Sequence, residues 1–330
     1  MSTETKPARW KVVLGYSAFA LVAFVLFLFL TFPFDTLRAR VATEAARQGY
    51  AVRIGSLRPG FFGVTARDVQ LSKPEGGLSP ETFAALTGTD DSALAMLGPA
   101  ALGEPLVLDS VSVRPSLFPL GVAFSADALG GTVKGAVGGL RDVTVRVEAK
   151  GLRVDQGNLP GFSGVDMEGS VGASLALVLP RGTGKETEPD LSAANGDLAL
   201  DSSALIIKGG KVAIPLSPGA PPIPMDLPRI ALGELTGRVD FEKGLGTVRE
   251  LRLKSEDLEV QGEGTLKLGK RLAYSEPAMD VRLKADPDFT KRLGLLGAGL
   301  TILPADKKDP AYRVGRLTGF LNRPNFQPKR

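Results

Sequence analysis

The chain has no cysteine and no histidine among its 330 residues, and its one tryptophan is Trp10. Without cysteine there is no disulfide framework, thiol chemistry, iron–sulfur cluster or cysteine-ligated zinc. Without histidine the commonest general base and the commonest transition-metal ligand are missing, and a Ser–His–Asp triad cannot be built. The net charge of +4 is spread along the chain with no long Lys/Arg run, which gives little support to nucleic-acid binding. Nucleotide loops are missing too. The glycines at 130, 131, 135, 138 and 139 lack the Gly-Lys-Ser/Thr ending of a phosphate loop, and hairpin turns account for them better. Gly182-Thr-Gly-Lys185 has neither the gap nor the capped helix, and Gly262-Glu-Gly264 lacks the third glycine of a dinucleotide fingerprint. The carboxylates Asp90–Asp91 and Glu186, Glu188 and Asp190 do not follow a calcium-loop pattern and read as solvated loop charge. The expectation is a protein that is not an enzyme and holds no cofactor or metal.

What the chain does have is one long uncharged run, Val12 to Phe34, bounded by Lys11 and Asp35. As a helix rising about 1.5 Å per residue it spans roughly 35 Å, enough to cross a hydrocarbon core of about 30 Å with some tilt. The apolar core is longer than that of a cleavable signal peptide, and no small-x-small site follows, so it reads as an uncleaved signal anchor. Val12, Leu21, Leu26, Leu30 and Phe34 mark its length, and Trp10 with Phe32–Pro33–Phe34 occupies the places of interfacial aromatics. The short leader 1–11, with Lys6, Arg9 and Lys11, is basic and is assigned to the cytoplasm; the bulk of the chain is then exported, to the periplasm in a bacterium.

Beyond the anchor, Asp35 reads as a helix cap, Leu37, Val41 and Ala45 recur every four residues, and Gly49 stops the pattern. This predicts a juxtamembrane helix over 35–50. From there the period changes to two. Val143, Val145, Val147 and Ala149 interleave with Thr144, Arg146, Glu148 and Lys150; Leu235, Val239 and Phe241 with Thr236, Arg238 and Asp240. Leu251 and Leu253 alternate with Arg252 and Lys254, and Met279, Val281 and Leu283 with Asp280, Arg282 and Lys284. Softer alternation runs through 64–71, 106–114, 170–179 and 257–268. Alternation with glycine turns between is the mark of antiparallel strands with one wet face.

The predicted fold is therefore mainly β: a single N-terminal transmembrane helix, then a large antiparallel, curved sheet over 51–330 with a few short helices. A groove and a sandwich share the same period, so sequence leaves both open. Residues 73–105 read as a partly helical insertion, 181–190 and 215–228 as exposed connections, Pro287 to Leu300 as a short helix, Tyr312–Phe320 as the last strand, and the tail after it as loop. The apolar positions Val143, Val145, Val147, Val239, Phe241, Leu251, Leu253, Val281 and Leu283 are the candidate face for lipid or a partner.

One anchor followed by FPFDTLRARVATEAARQGYAVRIGSLRPGFFGVTARDVQL, with the ending YRVGRLTGFLNRPNFQP, resembles the type II secretion system protein N (GspN) family and the related AsmA-like proteins. The resemblance covers nearly the whole chain and rests on anchor, helix, strand and glycine turn; it brings no catalytic residue. It implies an inner-membrane, single-pass component of a type II protein secretion system that contacts the other secretion-system subunits through β-sheet surfaces. The alternative it carries is an AsmA-like protein whose apolar β groove holds phospholipid acyl chains between the inner and outer membranes.

Overall fold

The structure, a computed structural model, describes residues 19, 34–47, 50–60, 63–73, 102–163, 165–180, 190–214, 223–270 and 272–329. The predicted anchor, with Val12, Leu21, Leu26 and Leu30, lies outside these residues, as do the leader and most of the insertion at 73–105. Among the described residues no helix is long and apolar enough to cross a membrane.

Helix α1 (Phe34–Arg47) packs on the first strand and ends where the Tyr50 N–H reaches back to the Ala45 carbonyl at 2.9 Å. Everything after it is organised by one antiparallel sheet of 14 strands. In chain order these are β1 (Ala51–Gly60), β2 (Gly63–Ser72), β3 (Leu106–Leu117), β4 (Leu120–Ala128), β5 (Gly131–Gly138), β6 (Asp142–Arg153), β7 (Met167–Pro180) and β8 (Asn195–Ile207), then β11 (Ile230–Glu242), β12 (Leu245–Lys254), β13 (Leu258–Lys267), β14 (Glu276–Ala285), β15 (Arg313–Phe320) and β16 (Arg323–Pro328). Between β8 and β11 the chain makes a separate two-stranded ribbon, β9 (Gly210–Ile214) with β10 (Ile223–Leu227). Each strand of the large sheet pairs with the one before and the one after it. β1 pairs only with β2 and β16 only with β15, so the described sheet has two free edges.

Four expectations change here. The tail after Phe320 is a strand, not a loop. Pro324 and Pro328 argued against that, but β16 is an edge strand whose outer side has no ladder to donate to, so proline is tolerated. The Pro-rich segment 215–228 contributes β10, whose Met225 pairs with Val212. Gly135 is no turn residue: it sits mid-strand in β5, opposite Phe124. The helix expected from Pro287 to Leu300 is two, α3 (Pro287–Arg292) and α4 (Leu295–Thr301), after a short α2 (Leu159–Ser163). The break falls at Gly294, at φ 58°, a conformation glycine tolerates best. Asp286 caps α3 by accepting from the N–H groups of Asp288 and Phe289 at 2.9 and 3.2 Å, and Phe289 is only 2% exposed.

A buried apolar cluster is formed by Leu177, Leu179, Ala194, Phe241 and Leu268, with Val143, Val145, Leu198 and Val239 against it. It lies where the β7–β8, β11–β12 and β13–β14 connections meet. There the Gly244 N–H donates to Ala194 O at 2.8 Å and the Leu268 N–H to Gly244 O at 2.7 Å. Bulges interrupt the register in β3–β4, β6–β7, β7–β8, β8–β11, β11–β12 and β12–β13. Each adds local twist and bends its strand.

Candidate apolar binding face

Directly paired residues in an antiparallel sheet share a face. Following one such row from edge to edge gives Pro59, Val64, Val113, Phe124, Gly135, Val147, Leu175, Leu198, Val239, Val248, Gly264, Met279, Leu317 and Phe326. All fourteen strands contribute, and no residue in the row carries a polar side chain. The neighbouring row on the opposite face runs Arg58, Thr65, Ser112, Ser125, Lys134, Glu148, Ser174, Ala199, Arg238 and Glu250. One face is greasy across the whole sheet, and the other is wet.

The residues predicted from periodicity fall on the apolar face together. Val143, Val145 and Val147 of β6 stand opposite Leu179, Leu177 and Leu175 of β7. Leu198 joins that group to Val239, and Gly196 joins it to Phe241. Leu253 pairs with Leu235, and Leu251 with Gly237. On the far side Val281 and Leu283 stand opposite Gly262 and Val260. Of the anchor residues only Phe34 is described, at the start of α1.

Sequence reasoning missed Val113, Val122, Phe124 and Val137 on the same face. The signal was present in the alternation of 120–128 and 131–138 but was masked by glycines. It also missed Val248. Arg249 is an extra residue in β12, so Arg238 pairs with Glu250 while Val239 pairs with Val248. That bulge lets even-numbered Val248 and odd-numbered Leu251 share one face. Near the first edge Asp68 takes φ 53° between Ala66 and Val69, both buried.

Exposure is graded along the face. Val113, Val122 and Val137 are 41%, 47% and 38% exposed, whereas Leu177, Phe241 and Val248 are under a tenth exposed. Three aromatic rings on this face lie over glycines. A Cβ on Gly135 would sit 2.4 Å from the Phe124 ring, one on Gly246 2.5 Å from Phe241, and one on Gly315 2.2 Å from Phe326. The rings lie down on the sheet where a side chain is missing. The one buried hydroxyl here, Ser202, accepts from the Leu235 N–H at 3.1 Å.

The wet face is held by ion pairs. Arg249 meets Asp240 at 2.8 Å and Arg252 meets Glu259 at 3.2 Å; Asp280 takes both Arg316 (2.9 Å) and Lys329 (2.8 Å). Hydrogen bonds from Arg316 and then Lys329 hold the Asp280 carboxyl below its ordinary value. Burial pushes the Tyr312 phenol up, and the Arg282 guanidinium lies 4.7 Å from its ring centre.

The geometry defines a large single-sheet β protein with one apolar and one polar face. The chain matches no protein-family model, no curated protein and no solved structure.

Proposed function

We propose that this protein handles lipid: a non-enzymatic, inner-membrane-anchored chain whose exported sheet shields acyl chains on its apolar face, in the manner implied by the AsmA-like resemblance. The observation that carries this reading is the unbroken apolar row through fourteen strands of an open meander, more than a third exposed at Val113, Val122 and Val137. Thirteen strand spacings of about 4.8 Å make a surface roughly 60 Å long. The row is packed at Val248 and Met279 but open over β3–β5, and an apolar surface left open there is what a binding site for acyl chains requires. Bulges in six strand pairs curl such a sheet into a trough.

A second reading, a component of type II secretion that binds other subunits through sheet surfaces, is favoured by the free edges of β1 and β16. Against it, β16 has every residue exposed yet carries Pro324, Pro328 and Arg323, the residues that discourage strand addition.

One experiment separates the two. A photo-crosslinking residue is placed in the full-length chain at Val113 or Leu200 on the apolar face, or at Arg238 on the polar face. Phospholipid adducts at Val113 and Leu200 and none at Arg238 are expected. Protein adducts alone at Val113 and Leu200, or equal lipid labelling of both faces, would overturn the lipid reading.

A further inference from the structure

We infer that the tips of the β3–β4 and β5–β6 hairpins form a second membrane-contacting element, a wedge that enters the surface of an anionic phospholipid bilayer. The two tips lie side by side, since Gly121 pairs with Gly138 and the Gly139 N–H donates to the Leu120 carbonyl at 3.0 Å. At these tips Leu117 is 75% exposed, Phe118 92%, Leu120 53% and Leu140 78%. Tight reversals are made by glycine, proline, asparagine and aspartate, so nothing in the backbone asks for four large apolar side chains in water. Nor does the fold bury them, and none of the four belongs to the packed cluster around Leu177 and Phe241.

Charge and shape select the occupant. Arg141 belongs to the second tip, and Arg114 stands four residues back from Phe118, about 13 Å along the strand. Both are exposed, and neither has an ion pair or side-chain hydrogen bond among the described residues. Arg114, Lys134 and Arg146 line a cleft of about 690 Å³ together with Phe118. Its single carboxylate, Glu148, is already held by Lys150. Among the described residues the other acid at the tips is Asp142, beside Arg141. The apolar groups thus sit at the narrow end of two hairpins with cations behind them. A folded partner needs roughly 800 Å² per side for a specific contact, which two hairpin tips do not offer. A bilayer accepts a narrow wedge, burying apolar side chains below the headgroups while arginines meet the phosphates. The tips lie at the opposite end of the strands from the start of β1, where α1 joins the sheet. This contact is independent of whether the apolar face carries lipid.

The sole tryptophan makes the test direct. The full-length chain carrying Trp10→Phe and Phe118→Trp is reconstituted into vesicles. Brominated phosphatidylglycerol is present either in the host bilayer or in added acceptor vesicles. A blue-shifted emission quenched by the bromolipid in one of the two arrangements is expected, and adding Leu140→Asp should weaken the apparent partition at least tenfold. Water-like, unquenched emission in both arrangements would overturn the proposal, as would a tryptophan shielded only after periplasmic protein is added. Equal quenching in a neutral phosphatidylcholine bilayer would remove the role given to Arg114 and Arg141. Phe118 is almost fully exposed, so its replacement leaves packing intact. The readout is separate from the crosslinks at Val113 and Leu200, which lie mid-strand.

Discussion

Truncating valines at the open end of the apolar face should cost far less than truncating a leucine in its packed part. Val122→Ala and Val137→Ala each remove two carbons, worth about 1.6 kcal/mol if fully buried at about 0.8 kcal/mol per methylene. With Val122 47% and Val137 38% exposed, roughly half of that is already absent in the folded state. About 0.8 to 1 kcal/mol per site is expected, with no cavity to add because the site opens to solvent. Leu177 is 6% exposed and sits in the cluster with Leu179 and Phe241. Leu177→Ala removes three carbons and leaves a void, for a cost of about 3 to 5 kcal/mol. The assay is denaturant unfolding of the full chain, comparing midpoints at constant slope. Equal costs for Val122→Ala and Leu177→Ala would mean that the face over β3–β5 is covered, and the trough would have to be abandoned. Saturating phospholipid gives a second reading, raising the midpoint of the wild type more than that of a Val113→Asp, Val137→Asp double variant.

Other outcomes follow from the same geometry. Gly135→Val drives a side chain into the Phe124 ring and toward the Arg146 carbonyl, 2.7 Å from a Cβ there, and should destabilise by about 1–3 kcal/mol; Phe124→Ala in the same chain should relieve the ring clash but not the backbone one. Leu283→Asp, at an 8%-exposed position, should lose at least about 3 kcal/mol, whereas Arg146→Ala on the wet face should stay within about 0.5 kcal/mol; thermal midpoints compare the two. Asp280 ionises more readily folded than unfolded, so its contribution is complete above the ordinary value of 3.8 and fades as pH falls through the lower folded value. Hydrogen exchange in β14–β16 should therefore rise below that pH, and Asp280→Asn should flatten the dependence.

Much of the sheet was legible in the sequence because charge and aliphatic residues alternate cleanly in β6, β11, β12 and β14. Where alternation was diluted by glycine, as in β5, the strand read as a run of turns; what decides the matter is Phe124, a residue on another strand. β16 was hidden for a related reason. Its prolines are permitted only because it is an edge, and an edge is a property of the whole sheet. The candidate face was found in pieces. The extra residue at Arg249 resets parity between pieces, and it is settled by partners outside the local window. That the sheet stays open follows from which strands pair, which no periodicity encodes.

The strictly sequential order of the sheet makes its length adjustable in units. Excising one adjacent pair of strands, such as β4 with β5, would leave β3 and β6 still running in opposite directions and able to zip together. The sheet would narrow by about 10 Å and keep its apolar face. Hairpins could be added or lost in the same way without refolding the rest, so reach becomes a matter of how many are strung along the chain.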